Sequence, residues 1–232
     1  MYFYPFFDPT MLIVIPGLLL ALYAQAKVKF TFARFLRVPA QQGVTGAYVA
    51  REILREQGLE HVVVEMIAGE LTDHYDPRGQ VLRLSPEVYR GTSLASLGVA
   101  AHETGHALQH ATSYLPLNIR NGLVPVVNFG TTMALPLFFI GFLFRFASLI
   151  KLGLWFFALA VLFQVVTLPV EFNASRRAIA LLEGYNFIAP PEVSGTKKVL
   201  KAAALTYVAA LVVSLLQFLR LLVISGALGD RD

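Results

Sequence analysis

The chain contains no Cys among its 232 residues. That absence excludes disulfide scaffolds, thiolate metal sites and Cys nucleophiles. Charge is scarce as well. Asp, Glu, Lys and Arg together make up 15% of the chain, against about a quarter in an ordinary soluble domain. Too few charges remain to cover the surface of a wholly soluble globule. Apolar residues reach 56%, which excludes intrinsic disorder. The net charge of +4 is too small to signal a nucleic-acid partner. No internal repeat is visible at periods of about 20–50 residues, nor any low-complexity tract. What the chain does have is a mean hydropathy of +0.62, and its apolar residues are clustered.

Four stretches lack charge over near-membrane lengths: Thr10–Ala26, Gly122–Phe144, Leu152–Val170 and Ala202–Leu219. A helix needs about 20 apolar residues to cross the hydrocarbon layer, within a range of about 17 to 25. The first stretch is short and carries Pro16, but Tyr2, Phe3, Tyr4, Phe6 and Phe7 extend it as an interfacial aromatic belt. The fourth pauses at Arg220 and resumes through Leu221–Ile224. The first 26 residues contain no Lys or Arg. A cleavable signal peptide, which needs basic residues before its apolar run, is therefore not expected, and the first segment is expected to stay as an anchor.

Lys and Arg set the orientation. Residues 27–121 carry ten of them, beginning with Lys27, Lys29, Arg34 and Arg37, whereas the 145–151 connection carries only Arg145 and Lys151. Residues 171–201 carry Arg176, Arg177, Lys197, Lys198 and Lys201. The positive-inside rule puts 27–121 and 171–201 in the cytoplasm and both termini outside. Four spans agree, because that number places both basic loops on one side.

Within the first loop, Pro39–Gly46 reads as a linker. Thr45 is placed to cap a helix running to about Gln57, with Gly58 as its stop. His61–Ile67 is β-branched and reads as a strand, Leu71–Tyr75 as a second and Val81–Leu84 as a third, with Asp76-Pro77-Arg78-Gly79 as a turn. Ser85-Pro86-Glu87 opens another helix, with Ser as N-cap and Pro at the first position. The loop is thus an α+β module hung between spans.

His102-Glu103-Thr104-Gly105-His106 is an HExxH motif inside Ser93–Ala111, which reads as one helix. Residues four apart share a helix face, so both imidazoles can hold one Zn²⁺. Glu103 lies beside the metal and is placed to act as the base that takes a proton from water. Zinc coordination lowers a water's pKa to about 7. Around the motif, Val99–Leu108 has no charge other than Glu103, as a buried metal site requires. A catalytic zinc needs a third protein ligand and an open fourth position. Position 109 is Gln and position 112 is Thr, so the longer pattern with a third His is missing. The third ligand is then expected from a carboxylate on a second helix. Spans two and three form a hairpin that returns the chain to the same side at Val170, and the first acid met there is Glu171. A third ligand is one reading of Glu171; an interfacial acid at a helix N-terminus is the plainer one.

These residues resemble a known family. Leu71–Arg78, Leu82–Tyr89, the HExxH and Glu171-Phe172-Asn173-Ala174-Ser175 together are similar to the YugP-type membrane zinc metallopeptidases of bacteria, over about residues 1–225. The resemblance implies a gluzincin with His102, His106 and Glu171 as zinc ligands, Glu103 as base, one Zn²⁺ per chain and a site facing the cytoplasm. More distantly the arrangement resembles the HtpX and CAAX-processing membrane peptidases. Those place an Asp four residues after the ligand Glu, where this chain has Ser175, so Ser175 or Asn173 is expected to orient a ligand His. In such peptidases an edge strand pairs with extended substrate. The resemblance makes Leu71–Tyr75 that strand, with Asp73, His74 and Tyr75 as substrate contacts.

The expected fold is membrane α+β: about four transmembrane helices with a small zincin-like helix and sheet module on the cytoplasmic side. Its parts are a span in 1–26, the HExxH module in 27–121, a helical hairpin in 122–170, a cytoplasmic helix in 171–201, a fourth span in 202–225 and a tail in 226–232. The expected function is a zinc-dependent endopeptidase of the bacterial inner membrane. It acts on membrane-associated or unfolded proteins, with the bilayer as its other partner and a homo-oligomer or membrane-protein partner left open. The alternative is a catalytically idle zinc protein that recruits or regulates a membrane complex. Tyr185, Arg176, Arg177 and Tyr207 are candidates to stabilise an oxyanion, and nothing in the sequence separates them. His74 is a candidate for that role too, or a plain turn residue. His110 lies one turn past His106 but would close the open position as a fourth ligand, and His61 reads as structural.

Overall fold

The computed structural model describes residues 9–229, with side chains to residue 226. The aromatic belt expected from Tyr2, Phe3, Tyr4, Phe6 and Phe7 lies outside the described residues. The order of elements is α1 (Met11–Leu36), α2 (Gly46–Glu56), β1 (Val63–Met66), β2 (His74–Asp76), β3 (Val81–Leu84), α3 (Pro86–Tyr89), α4 (Leu94–Ala111), α5 (Leu115–Phe144), α6 (Ala147–Gly184) and α7 (Pro190–Gly229). Among the described residues, four helices, α1, α5, α6 and α7, are long and apolar enough to cross a membrane.

The chain divides into two compact units. Among the described residues, one is built from 9–24, 119–168 and 206–229. Its helices pack through small residues. A side chain at Gly153 would run into the Ala134 carbonyl oxygen at 2.7 Å, and one at Gly17 into the Val213 backbone at 3.2 Å. Close backbone approach of this kind is how helices associate where lipid removes the hydrophobic drive. Phe138 is fully buried there, and Trp155 and Leu143 are largely exposed, the pattern of an apolar, lipid-facing surface.

The other unit holds residues 25–118 and 169–205. Its core gathers Ile53 and Leu54 of α2, Leu82 and Leu84 of β3, Leu97, Ala100 and Ala101 of α4, and Ala178 and Leu182 of α6. The sheet runs in the order β1-β3-β2, with β1 parallel and β2 antiparallel to β3. Thr45 caps α2 by accepting from the Tyr48 amide, and Ser93 caps α4 by accepting from the Ser96 amide.

Several expected boundaries move. The first strand starts at Val63 rather than His61, which lies exposed in a turn. The second starts at His74 rather than Leu71, because Leu71 adopts a left-handed φ of 54° that breaks the extended backbone. Ser85 precedes α3 but makes no capping bond; its hydroxyl and amide turn to Asp73 instead. The third span and the helix after it are one continuous helix, since α6 runs unbroken through Pro169 from Ala147 to Gly184. Likewise α7 runs from Pro190 through the fourth span.

Candidate metal centre

The site is built by α4 and the middle of α6. His102 and His106 point from one face of α4, as a spacing of four requires, with their rings edge to face at 4.8 Å between centroids. Glu171, on α6, is nearly fully buried. Its Oε2 lies 3.4 Å from His102 Nε2 and 3.6 Å from His106 Nε2. All three ligand atoms fall within 4.8 Å of one another. Because α6 is continuous, Glu171 is mid-helix, and the plainer reading of it as a helix-terminal acid does not apply.

The close approach of the two helices is allowed by Gly105, inside the HExxH motif. A Cβ at Gly105 would meet the Ala174 carbonyl oxygen at 2.9 Å and Cα at 3.3 Å. A side chain at position 105 would run into the backbone of α6 one turn from Glu171.

The donor set fits zinc on three counts. Two bonds of about 2.0–2.1 Å meeting at a tetrahedral angle put their ends about 3.4 Å apart, close to the two separations found. Glu171 Oε2 is buried and has no hydrogen-bond partner, a costly state for a carboxylate oxygen that a cation relieves. The Nδ1 atoms of both imidazoles are engaged from behind, His102 by Ser175 Oγ at 3.2 Å and His106 by Gln109 Oε1 at 2.9 Å. Both Nε2 atoms are thereby left for a metal. Electrostatics agree. Burial works against a charged His106, but the neighbouring carboxylates of Glu171 and Glu103 outweigh it and raise its pKa. The cavity favours positive charge.

Of the residues expected to orient the ligands, Ser175 meets His102 directly. Asn173 does so at one remove, through Gln109. Gln109 is the participant that sequence reasoning missed. Its one signal was position, three residues past His106 on the same helix.

The β2 strand is a sheet edge beside α4. Asp73, just before it, accepts from the Ser85 amide at 2.7 Å and from the Ser85 hydroxyl at 3.1 Å. Burial pushes the Asp73 carboxyl up, the Ser85 bonds oppose this, and the charge of Glu103 adds to the rise. The His74 Nδ1–H donates to the Thr72 carbonyl at 2.8 Å. The Tyr75 hydroxyl shares a 2.9 Å hydrogen bond with His110 Nδ1. His110 is thus engaged with Tyr75 and stands outside the three-residue cluster. Tyr185 accepts from Gln57 Nε2 at 2.9 Å, Arg177 donates to Asn173 Oδ1 at 2.9 Å, and Arg176 is exposed.

Comparison with known proteins gives the same chemistry. A family described as "Putative neutral zinc metallopeptidase" matches residues 10–226. A curated relative in Bacillus subtilis (strain 168), "Putative membrane protease YugP", is 50% identical over 220 residues, covering 95% of this chain and 97% of its own length. No solved structure matches the chain.

Proposed function

The chain belongs to the family described as "Putative neutral zinc metallopeptidase", and from that membership we propose that it is a membrane-embedded zinc endopeptidase. It hydrolyses peptide bonds of membrane-associated or unfolded proteins at the cytoplasmic face of the bacterial inner membrane. The observation that carries this reading is the orphaned, buried Oε2 of Glu171 facing two helix-borne imidazoles.

His102, His106 and Glu171 would hold the ion. Zinc, when bound, supplies a water acidified to near neutral pH and polarises the scissile carbonyl. Glu103 takes the proton from the attacking water, keeps it while the new C–O bond forms, and delivers it to the leaving amide nitrogen as the C–N bond breaks. Asp73 is held at the start of β2 by hydrogen bonds from the Ser85 amide and hydroxyl. The free edge of β2 supports pairing with an extended peptide, with His74 and Tyr75 flanking it. The cytoplasmic orientation rests on the ten basic residues of 27–121 and the positive-inside rule.

The test is Glu103→Gln in the purified full-length protein. The variant should keep one zinc per chain and lose casein cleavage by about 10²–10⁴-fold, the usual worth of a general base. Cleavage that survives the substitution refutes the mechanism. Wild-type protein that holds zinc and cleaves no tested protein favours the recruiting or regulatory role instead.

A further inference from the structure

Gln109 is the one fully buried amide side chain of α4, and each of its polar atoms is spoken for. Its Nε2 donates to the Val170 carbonyl at 2.8 Å and to Asn173 Oδ1 at 3.0 Å. Its Oε1 faces His106 Nδ1 at 2.9 Å. An amide can in principle turn over, but here each partner fixes the next. Arg177 has donors only, and its Nε donates to Asn173 Oδ1 at 2.9 Å, which sets the Asn173 amide. That oxygen and the Val170 carbonyl can only accept, so the Gln109 nitrogen must face α6. The Gln109 oxygen must then face His106. An oxygen with no hydrogen obliges His106 Nδ1 to carry a proton, so in the neutral ring that binds a metal the lone pair is on Nε2. That is the nitrogen 3.6 Å from Glu171 Oε2.

The same side chain does a second thing. Val170 directly precedes Glu171, so the bond from Gln109 ties the HExxH helix to the turn of α6 that supplies the carboxylate. Gly105 brings the two backbones together, and Gln109 fixes their register.

We propose that Gln109 is a positioning residue for the metal. It holds His106 in its metal-binding tautomer and locks α4 to the Glu171 turn of α6, with Asn173 and Arg177 setting its orientation. This rests on the zinc-site reading above and adds to it a residue that touches neither metal nor substrate. Outer partners of this kind typically change metal affinity by about 10–100-fold.

The experiment measures zinc affinity, the visible absorption of the Co²⁺-substituted protein and metal-free melting for four full-length proteins. These are the wild type, Gln109→Leu, Asn173→Leu and Asn173→Asp. Gln109→Leu should bind zinc about 10–100-fold more weakly and shift the Co²⁺ bands. Asn173→Leu should move both readings the same way by less. Asn173→Asp keeps an acceptor for Gln109 and Arg177 and should stay within about threefold of wild type. Wild-type affinity and bands in folded Gln109→Leu overturn the proposal. So does weakened affinity with unchanged bands and an equal loss of metal-free melting temperature, since that is a packing effect alone. If Gln109→Leu does not fold, Asn173→Leu decides by the same readings. A wild type that binds no zinc overturns the zinc-site reading itself, so the two failures are told apart.

Discussion

At Asp73 two effects oppose each other. Burial favours the neutral acid, and hydrogen bonds from Ser85 favour the carboxylate, with burial the larger and the net displacement upward. A carboxyl whose folded pKa is raised holds its proton longer in the folded state. The stability it contributes is fully present below its ordinary value of 3.8 and is lost as pH rises through the folded value. Asp73→Asn has no such proton. The melting temperature of wild type minus that of Asp73→Asn should therefore fall as pH is raised upward from 3.8. A difference that is flat or grows with pH refutes the assignment. The residue scale also shows what the sequence made legible. That His102 and His106 share one face of α4 needed only the helical period. Gln109 was opaque because its partners Val170 and Asn173 lie 61 and 64 positions away, and no local pattern announces them. The length of the second strand was opaque for a different reason. Its limit is the left-handed backbone of Leu71, a residue type that gives no warning of it.

At the scale of elements, the site depends on how closely α4 and α6 approach. In isolation, Gly105→Ala would strengthen α4 by up to about 1 kcal/mol, since Ala is the best helix former. Against Ala174 the new methyl has a backbone oxygen at 2.9 Å, and backbone cannot move aside as a side-chain end can. Overpacking of this sort costs about 1–3 kcal/mol, so the steric term wins. Separating the helices also stretches the distances from Glu171 to both imidazoles. Gly105→Ala should lower the metal-free melting temperature and shrink the further rise that zinc produces. Gly122→Ala is the control, because a Cβ there meets nothing within 4 Å; it should leave both quantities at or above wild type. Wild-type zinc stabilisation in Gly105→Ala would show that the close approach is not what sets the site. The order helix, small sheet, helices could be read from the sequence because capping residues and β-branched runs are local signals. The continuity of α6 could not. Pro169 lacks a donor and usually marks a break, yet here the helix passes through it and carries Glu171 into the site.

At the scale of the whole molecule, basic charge bears on which side of the bilayer the candidate metal centre faces. Basic residues near an anionic cytoplasmic leaflet gain roughly 1 kcal/mol each. Lys27, Lys29, Arg34 and Arg37 crowd the start of the 27–121 segment, while the 145–151 connection has only Arg145 and Lys151. The balance favours 27–121 inside, and with it HExxH. The chain's lack of Cys makes this directly measurable, because a single introduced thiol has no background. Glu60 and Ser148 are both exposed, one in the basic segment and the other at the opposite end of a span. In intact spheroplasts, a membrane-impermeant maleimide should label Ser148→Cys and leave Glu60→Cys untouched until the cells are broken. Labelling of Glu60→Cys in intact spheroplasts would put the metal centre outside. The substrates would then have to be sought among exported proteins, even with His102, His106 and Glu171 as the ligands.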